Sequence, residues 1–193
     1  MTWVVVVVIV LAVVLLGLYL SMTAGRLDRL HLRIAAAERS LDAHLLRRSS
    51  VAAEIAAAGL LDPAASIVIA EAAHAARMSQ DAAIAHRSRS ESDLTAALSA
   101  ALGDSEDVVA VCADEIGLAL LSELEASWVR LELARRFHND AVRACRQVRR
   151  QRVVRWFRLA GHTALPDTWE MDDAVPVALS AGLAEVQPGR PMG

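Results

Sequence analysis

Eighteen residues from Trp3 to Leu20 read WVVVVVIVLAVVLLGLYL and carry no charge. An apolar run of about 17–25 residues spans a bilayer as one helix, and no other stretch of this chain can do so. The run predicts a single transmembrane helix over residues 3–24, with residues 1–2 as a short external N-terminus. A cleaved secretory signal needs a basic n-region and a small-x-small cleavage site. Only Met1 and Thr2 precede the run, and cleavage after Ala24 would leave the bulky Met22 where a small residue is required. Trp3 and Tyr19 lie near the two ends, where amphipathic rings favour the headgroup zone. Arg26, Arg29, Arg33, Arg39, Arg47 and Arg48 all follow the run. Basic flanks stay cytoplasmic, so the expected location is the plasma membrane, single-pass, N-terminus outside, with the bulk of the chain cytoplasmic.

The remainder of the 193 residues suffices for one domain with its own core. Helix formers dominate and aromatics make up 4% of the chain, which predicts an all-α fold. The expected architecture is an N-terminal transmembrane helix followed by an antiparallel bundle of three to four long helices over residues 25–160. A polar, largely disordered tail is expected over residues 161–193, where Pro166, Pro176, Pro188 and Pro191 accompany a set of acids. Leu27, Leu30, Ile34, Ala37, Leu41 and Leu45 recur at helical spacing and predict one helix from the membrane to about Ala58, stopped by Gly59. Asp62-Pro63 reads as an N-cap followed by proline at the first helical position. The second helix should bury Ile67, Ala70, His74, Ala76 and Ile84. Residues Arg87 to Asp93 lack any apolar side chain, so they either break that helix or merely expose it. After a turn at Gly103–Asp107, capped by Asp104 or Ser105, one helix is expected from about Glu106 to about Leu159. Its seam runs Leu124, Leu131, Ala134, His138, Ala141, Cys145 and Val148.

Charge is segregated. Asp62 to Val129 holds twelve acids and three bases, whereas Arg130 to Arg158 holds ten bases and two acids. Such blocks suit helices that pair with each other or an end that meets an anionic partner. The basic run comprises Arg143, Arg146, Arg149, Arg150, Arg152, Arg155 and Arg158, with Trp156 among them. One reading is a solvated face partly paired with acids; the other is contact with anionic lipid or an acidic protein surface. Arg135 and Asn139, one helical turn apart, are expected to form a buried polar cluster with a carboxylate from another helix, for which Asp42 is a candidate. Cys112 and Cys145 are expected to be buried and reduced; on one helix they would stand about 50 Å apart, too far to bridge.

Catalytic chemistry is not visible. Glu71-Ala-Ala-His74 has the spacing of a carboxylate di-metal motif but lacks the second copy such a site needs. There is no phosphate loop, dinucleotide turn or Cys-x-x-Cys. No catalytic residue, metal, cofactor, nucleic acid or small-molecule substrate is therefore expected.

Four stretches resemble the LemA family of bacterial membrane-anchored helical proteins. Leu41-Asp-Ala-His-Leu-Leu-Arg-Arg48 is similar to the family's I-D-x-Q-L-x-R-R, and Glu91-Ser-Asp-Leu94 to its E-N-x-L. Ala134-Arg-Arg-Phe-His-Asn-Asp-Ala-Val142 is similar to its A-R-x-x-Y-N-x-x-V, and Pro166 to Glu170 to its C-terminal aromatic-acid pair. His138 stands where the family has Tyr; the Y-P-x-L turn is absent; Ser50, Val51 and Ala53 replace a D-L-x-P. The resemblance, to a divergent member, implies an N-out anchor and an antiparallel bundle, and no catalytic activity. The expected function is a non-enzymatic scaffold or interaction module at the cytoplasmic membrane face, with a protein partner or self-association. The alternative is an anionic-lipid or envelope-organising module that uses the basic helix from Arg143 to Arg158.

Overall fold

The computed structural model describes residues 1–157, 159 and 164–187. Among these residues the chain is helical throughout, with seven helices and no strand. Helix α1 (Thr2–Ala57) runs through the apolar stretch and on without a break. It stops at Gly59, whose φ of 71° lies in the left-handed region that glycine enters at no steric cost. Helix α2 (Pro63–Met78) opens as expected: the Asp62 carboxylate accepts from the Ala64 and Ala65 N–H groups at 2.9 and 3.2 Å. Helices α3 (Ile84–Ala101), α4 (Ser105–Cys112), α5 (Glu115–Arg149), α6 (Arg152–Trp156) and α7 (Val177–Val186) follow.

The chain divides into two compact units, Met1–Ala37 with His138–Thr168, and Glu38–Phe137 with Trp169–Gly193. In the first unit, the side chains of α1 from Trp3 to Leu18 are exposed, and this helix is long and apolar enough to cross a membrane. Beyond the apolar run, Leu27, Leu30 and Ile34 pack with Ala141, Val142, Cys145 and Val148 of α5 and with Val154 of α6.

The second unit holds a larger core. Val51 and Ile55 of α1 meet Ile69 and Ala73 of α2, Leu94 and Leu98 of α3, Val108 and Val111 of α4, Leu121, Leu124 and Trp128 of α5, and Leu179 and Leu183 of α7. A separate cluster joins Leu41 and Leu45 with Leu131, Ala134 and Trp169. Close backbone approach is allowed at two glycines. A Cβ on Gly117 would collide with the Val111 carbonyl oxygen, and one on Gly182 would lie 2.6 Å from Val108 Cγ1.

Several expectations are corrected. Of the two readings of residues 87–93 the helical one holds, inside α3, but Ser88, Ser90 and Glu91 are buried and not exposed; the chain leaves helix at 79–83, where no break is expected, with Ser79 as the C-cap of α2. Helix α2 buries Ile69, Ala73 and Ala76, while Ile67, Ala70 and His74 are exposed. Isoleucine, valine and alanine surround this helix, so the pattern does not single out a face. The long final helix is interrupted at Ala113–Asp114, where the Asp114 carboxylate accepts from the N–H groups of Ile116 and Gly117. It breaks again at Arg150–Gln151, with no Gly or Pro to signal it, and Val154 becomes buried beyond the break. Cys112 and Cys145 consequently lie on different helices; both are buried and free. Residues 177–186, expected in a disordered tail, form α7, because Leu179 and Leu183 find a buried apolar seat. Residues 158, 160–163 and 188–193 of that expected tail and of the basic run lie outside the described residues.

Candidate functional site: buried ion pairs and a basic helix end

Successive residues on a helix point about 100° apart, so Arg47 and Arg48 cannot share an environment. Arg47 faces solvent and meets Glu123 at 3.0 Å. Arg48 has no exposed surface. Its Nη2 donates to Glu91 Oε2 at 2.7 Å and to the Glu91 carbonyl at 2.9 Å, and its Nη1 donates to Thr95 Oγ1 at 3.0 Å. The guanidinium carbon lies 5.4 Å from the centre of the Trp128 ring. Glu91 and Thr95 reach one arginine because they are a helical turn apart on α3. Burial pushes the Glu91 carboxyl up from its ordinary value, against the pull of Arg48 and then Arg87.

Residues 169–173 are fastened across the same unit. The Trp128 indole N–H donates to the Asp173 carbonyl at 2.9 Å, and Thr95 Oγ1 donates to the Asp172 carbonyl at 2.8 Å. The Asp172 N–H donates to Ser92 Oγ at 3.0 Å. Arg135 grips both carboxylate oxygens of Asp173, Nε to Oδ2 at 2.6 Å and Nη2 to Oδ1 at 2.8 Å. Arg87 pairs with Asp42 at 2.7 Å and stacks 4.8 Å from the Trp169 ring centre.

The expected cluster of Asp42, Arg135 and Asn139 is therefore corrected in its partners. Arg135 does find a carboxylate, but it is Asp173, and Asp42 is taken by Arg87. Asn139 is buried in the first unit. Asp173 follows α5 in a segment without helix, so helical spacing gives no sign that its carboxylate returns to Arg135. Arg48, Glu91 and Thr95 were missed as a site. The available signal was a paired arginine inside an apolar stripe, one member of which must point inward.

In the first unit the basic run splits in two. Arg146 donates to the Pro166 carbonyl and to Asp167, each at 2.9 Å, and Arg149 donates to the Ala164 carbonyl at 2.9 Å. Arg143 lies 3.6 Å from Asp140. Arg150, Arg152 and Arg155 are exposed, and Trp156 is 86% exposed with Phe157 at 48%. Arg158 is not among the described residues.

Chemically, the buried groups order helices. No cluster of His, Cys, Asp and Glu among the described residues could hold a metal. Burial raises both thiols, which disfavours the reactive thiolate. A search among known proteins finds no matching family model, no matching curated protein and no matching solved structure.

Proposed function

We propose that this chain is a membrane-anchored, non-enzymatic helical-bundle protein that serves as a scaffold or interaction module at the cytoplasmic face of the plasma membrane. The observation that carries this reading is α1. Its apolar run is exposed from Trp3 to Leu18, yet the same helix buries Leu41, Leu45, Val51 and Ile55 further along. A helix that is apolar on every side is stable only in lipid or buried in protein.

An antiparallel bundle agrees with the packing order inside the second unit. Leu41 and Leu45 share a cluster with Leu131 and Ala134, whereas Val51 and Ile55 share one with Leu121, Leu124 and Trp128. Higher numbers on α1 go with lower numbers on α5, as helices of opposite direction require.

We propose kinship with the LemA family on the sequence motifs themselves, several of whose residues lie in the same unit. Asp42, Arg48, Glu91, Ala134 and Trp169 come from the four stretches that carry the resemblance. Arg48 pairs with Glu91, while Asp42 is joined through Arg87 to Trp169, which shares a cluster with Ala134. A partner protein or a second copy of the chain is the proposed binding target.

The test is a reporter fused after Gly193 that works on only one side of the membrane, paired with extraction of the membranes at alkaline pH. Retention in the membrane with cytoplasmic reporter activity supports the reading. Release by alkali, or an external reporter, overturns it. A second reading, contact with anionic lipid, is favoured by the exposure of Arg150, Arg152, Arg155 and Trp156.

A further inference from the structure

The seven arginines from Arg143 to Arg158 are one block in sequence but not in structure. Arg146 and Arg149 are spent on holding residues 164–167. Arg150, Arg152 and Arg155 have no ion-pair partner among the described residues, and no acid occurs between Asp140 and Asp167 to neutralise them. Beside them stands Trp156, the most exposed tryptophan among the described residues.

Their position relative to the apolar run follows from packing within the first unit. Val154 of α6 is buried with Leu27 and Ile34 of α1. Leu27 is seven residues past Leu20, or about 10 Å along a helix. The headgroup layer extends roughly 5–8 Å beyond the hydrocarbon edge. Leu27 and Ile34, which share the cluster of Val154, stand about 10 and about 21 Å past Leu20, so α6 lies outside the headgroup layer but within reach of it for a long side chain at the Leu27 end, if the apolar run spans the bilayer. The adjoining turns of α1 carry Arg26, Arg29 and Arg33 against one acid, Asp28, so they add to the positive charge. A tryptophan with its face free among arginines is the composition that settles at an anionic bilayer surface.

We propose that α6 and the residue pair before it, Arg150 to Trp156, form an interfacial foot that binds anionic phospholipid headgroups beside the anchor, with the Trp156 ring at the boundary between headgroups and acyl chains. The proposal rests on the anchored reading above. Arg150, Arg152 and Arg155 supply charge to phosphate, and Trp156 supplies apolar area.

Hydrogen exchange of residues 150–157 tests this in the full chain reconstituted into vesicles of phosphatidylcholine, with or without phosphatidylglycerol. Slower exchange in the phosphatidylglycerol vesicles, abolished by high salt, supports the proposal. In the triple variant R150E/R152E/R155E, exchange should return to the phosphatidylcholine rate. Each reversed charge is expected to weaken the contact about fivefold or more at low ionic strength. Equal exchange in both vesicle types, or protection that survives the triple variant, overturns it. So does a photo-reactive side chain at position 156 that joins a polypeptide and not a phospholipid in native membranes. A chain stripped from the vesicles by alkali overturns the anchored reading and this proposal with it. An integral chain with unprotected residues 150–157 overturns the lipid contact alone.

Discussion

Arg48 and Glu91 meet at 2.7 Å with almost no water beside either, one on α1 and the other on α3. Desolvating two charges offsets most of their attraction, so such a pair adds little net stability while its partial removal is expensive. Glu91→Ala is expected to cost about 3–5 kcal/mol, because it strands a guanidinium that cannot lose its proton. The double variant Arg48→Met with Glu91→Leu should recover most of that loss. Chemical denaturation of the full chain in detergent compares the two. Equal losses in the single and double variants would refute the interpretation.

The same carboxyl makes stability depend on pH. Burial raises the folded-state value of Glu91, so the folded chain holds this proton more tightly than the unfolded chain does. Its contribution is then fully present below the unfolded value and is lost as pH rises through the folded value. Wild-type stability measured relative to Glu91→Gln should be highest in acid and fall as pH rises through and above the ordinary carboxylate range. Denaturation curves collected across that range provide the check, and a wild type that gains on Glu91→Gln as pH rises would contradict it.

Arg135 and Asp173 form a two-pronged pair that is mostly buried. Asp173→Ala should cost about 1.5–3 kcal/mol, the usual worth of charge-assisted hydrogen bonds. It should also speed hydrogen exchange in residues 169–175 more than in α3 or α5. Uniform acceleration across the second unit would mean that this segment has no separate stability.

Val108 fills the space above Gly182. Gly182→Ala forces a methyl group into it and should cost about 1–3 kcal/mol. Shrinking the neighbour in Val108→Ala/Gly182→Ala should restore part of the loss. Exchange rates of α7 read the docking directly, and failure of the paired change to restore them would place the strain elsewhere.

The anchor-like helix, the Asp62-Pro63 start of α2 and the α5 seam from Leu124 to Val148 were legible in the sequence, because each is set by local rules. Apolar spacing specifies a buried stripe, and a capping side chain needs only its own next turn. The face of α2 was not legible, since Ile67, Val68 and Ile69 offer three adjacent choices and alanine surrounds them. Only the neighbouring helices select Ile69. The reversal at 79–83 carries no Gly or Pro, whereas the polar stretch 87–93, which resembles a break, is held in helix while Ser88 and Glu91 point inward. Pairings such as Arg135 with Asp173 are set by tertiary approach, which spacing along the chain does not encode. Helix α7 escaped notice because prolines and acids precede it, although Leu179 and Leu183 sit at helical spacing.

Asp173 follows Arg135 by 38 residues in the chain, so a ribosome delivers it about 2–8 s later. Throughout that interval the indole N–H of Trp128 and the guanidinium of Arg135 await partners that have not been made, whereas the Thr95 hydroxyl already has the Glu91 carbonyl of its own helix. The polar interior of this protein is therefore closed late in biosynthesis, after all the helices it joins have emerged.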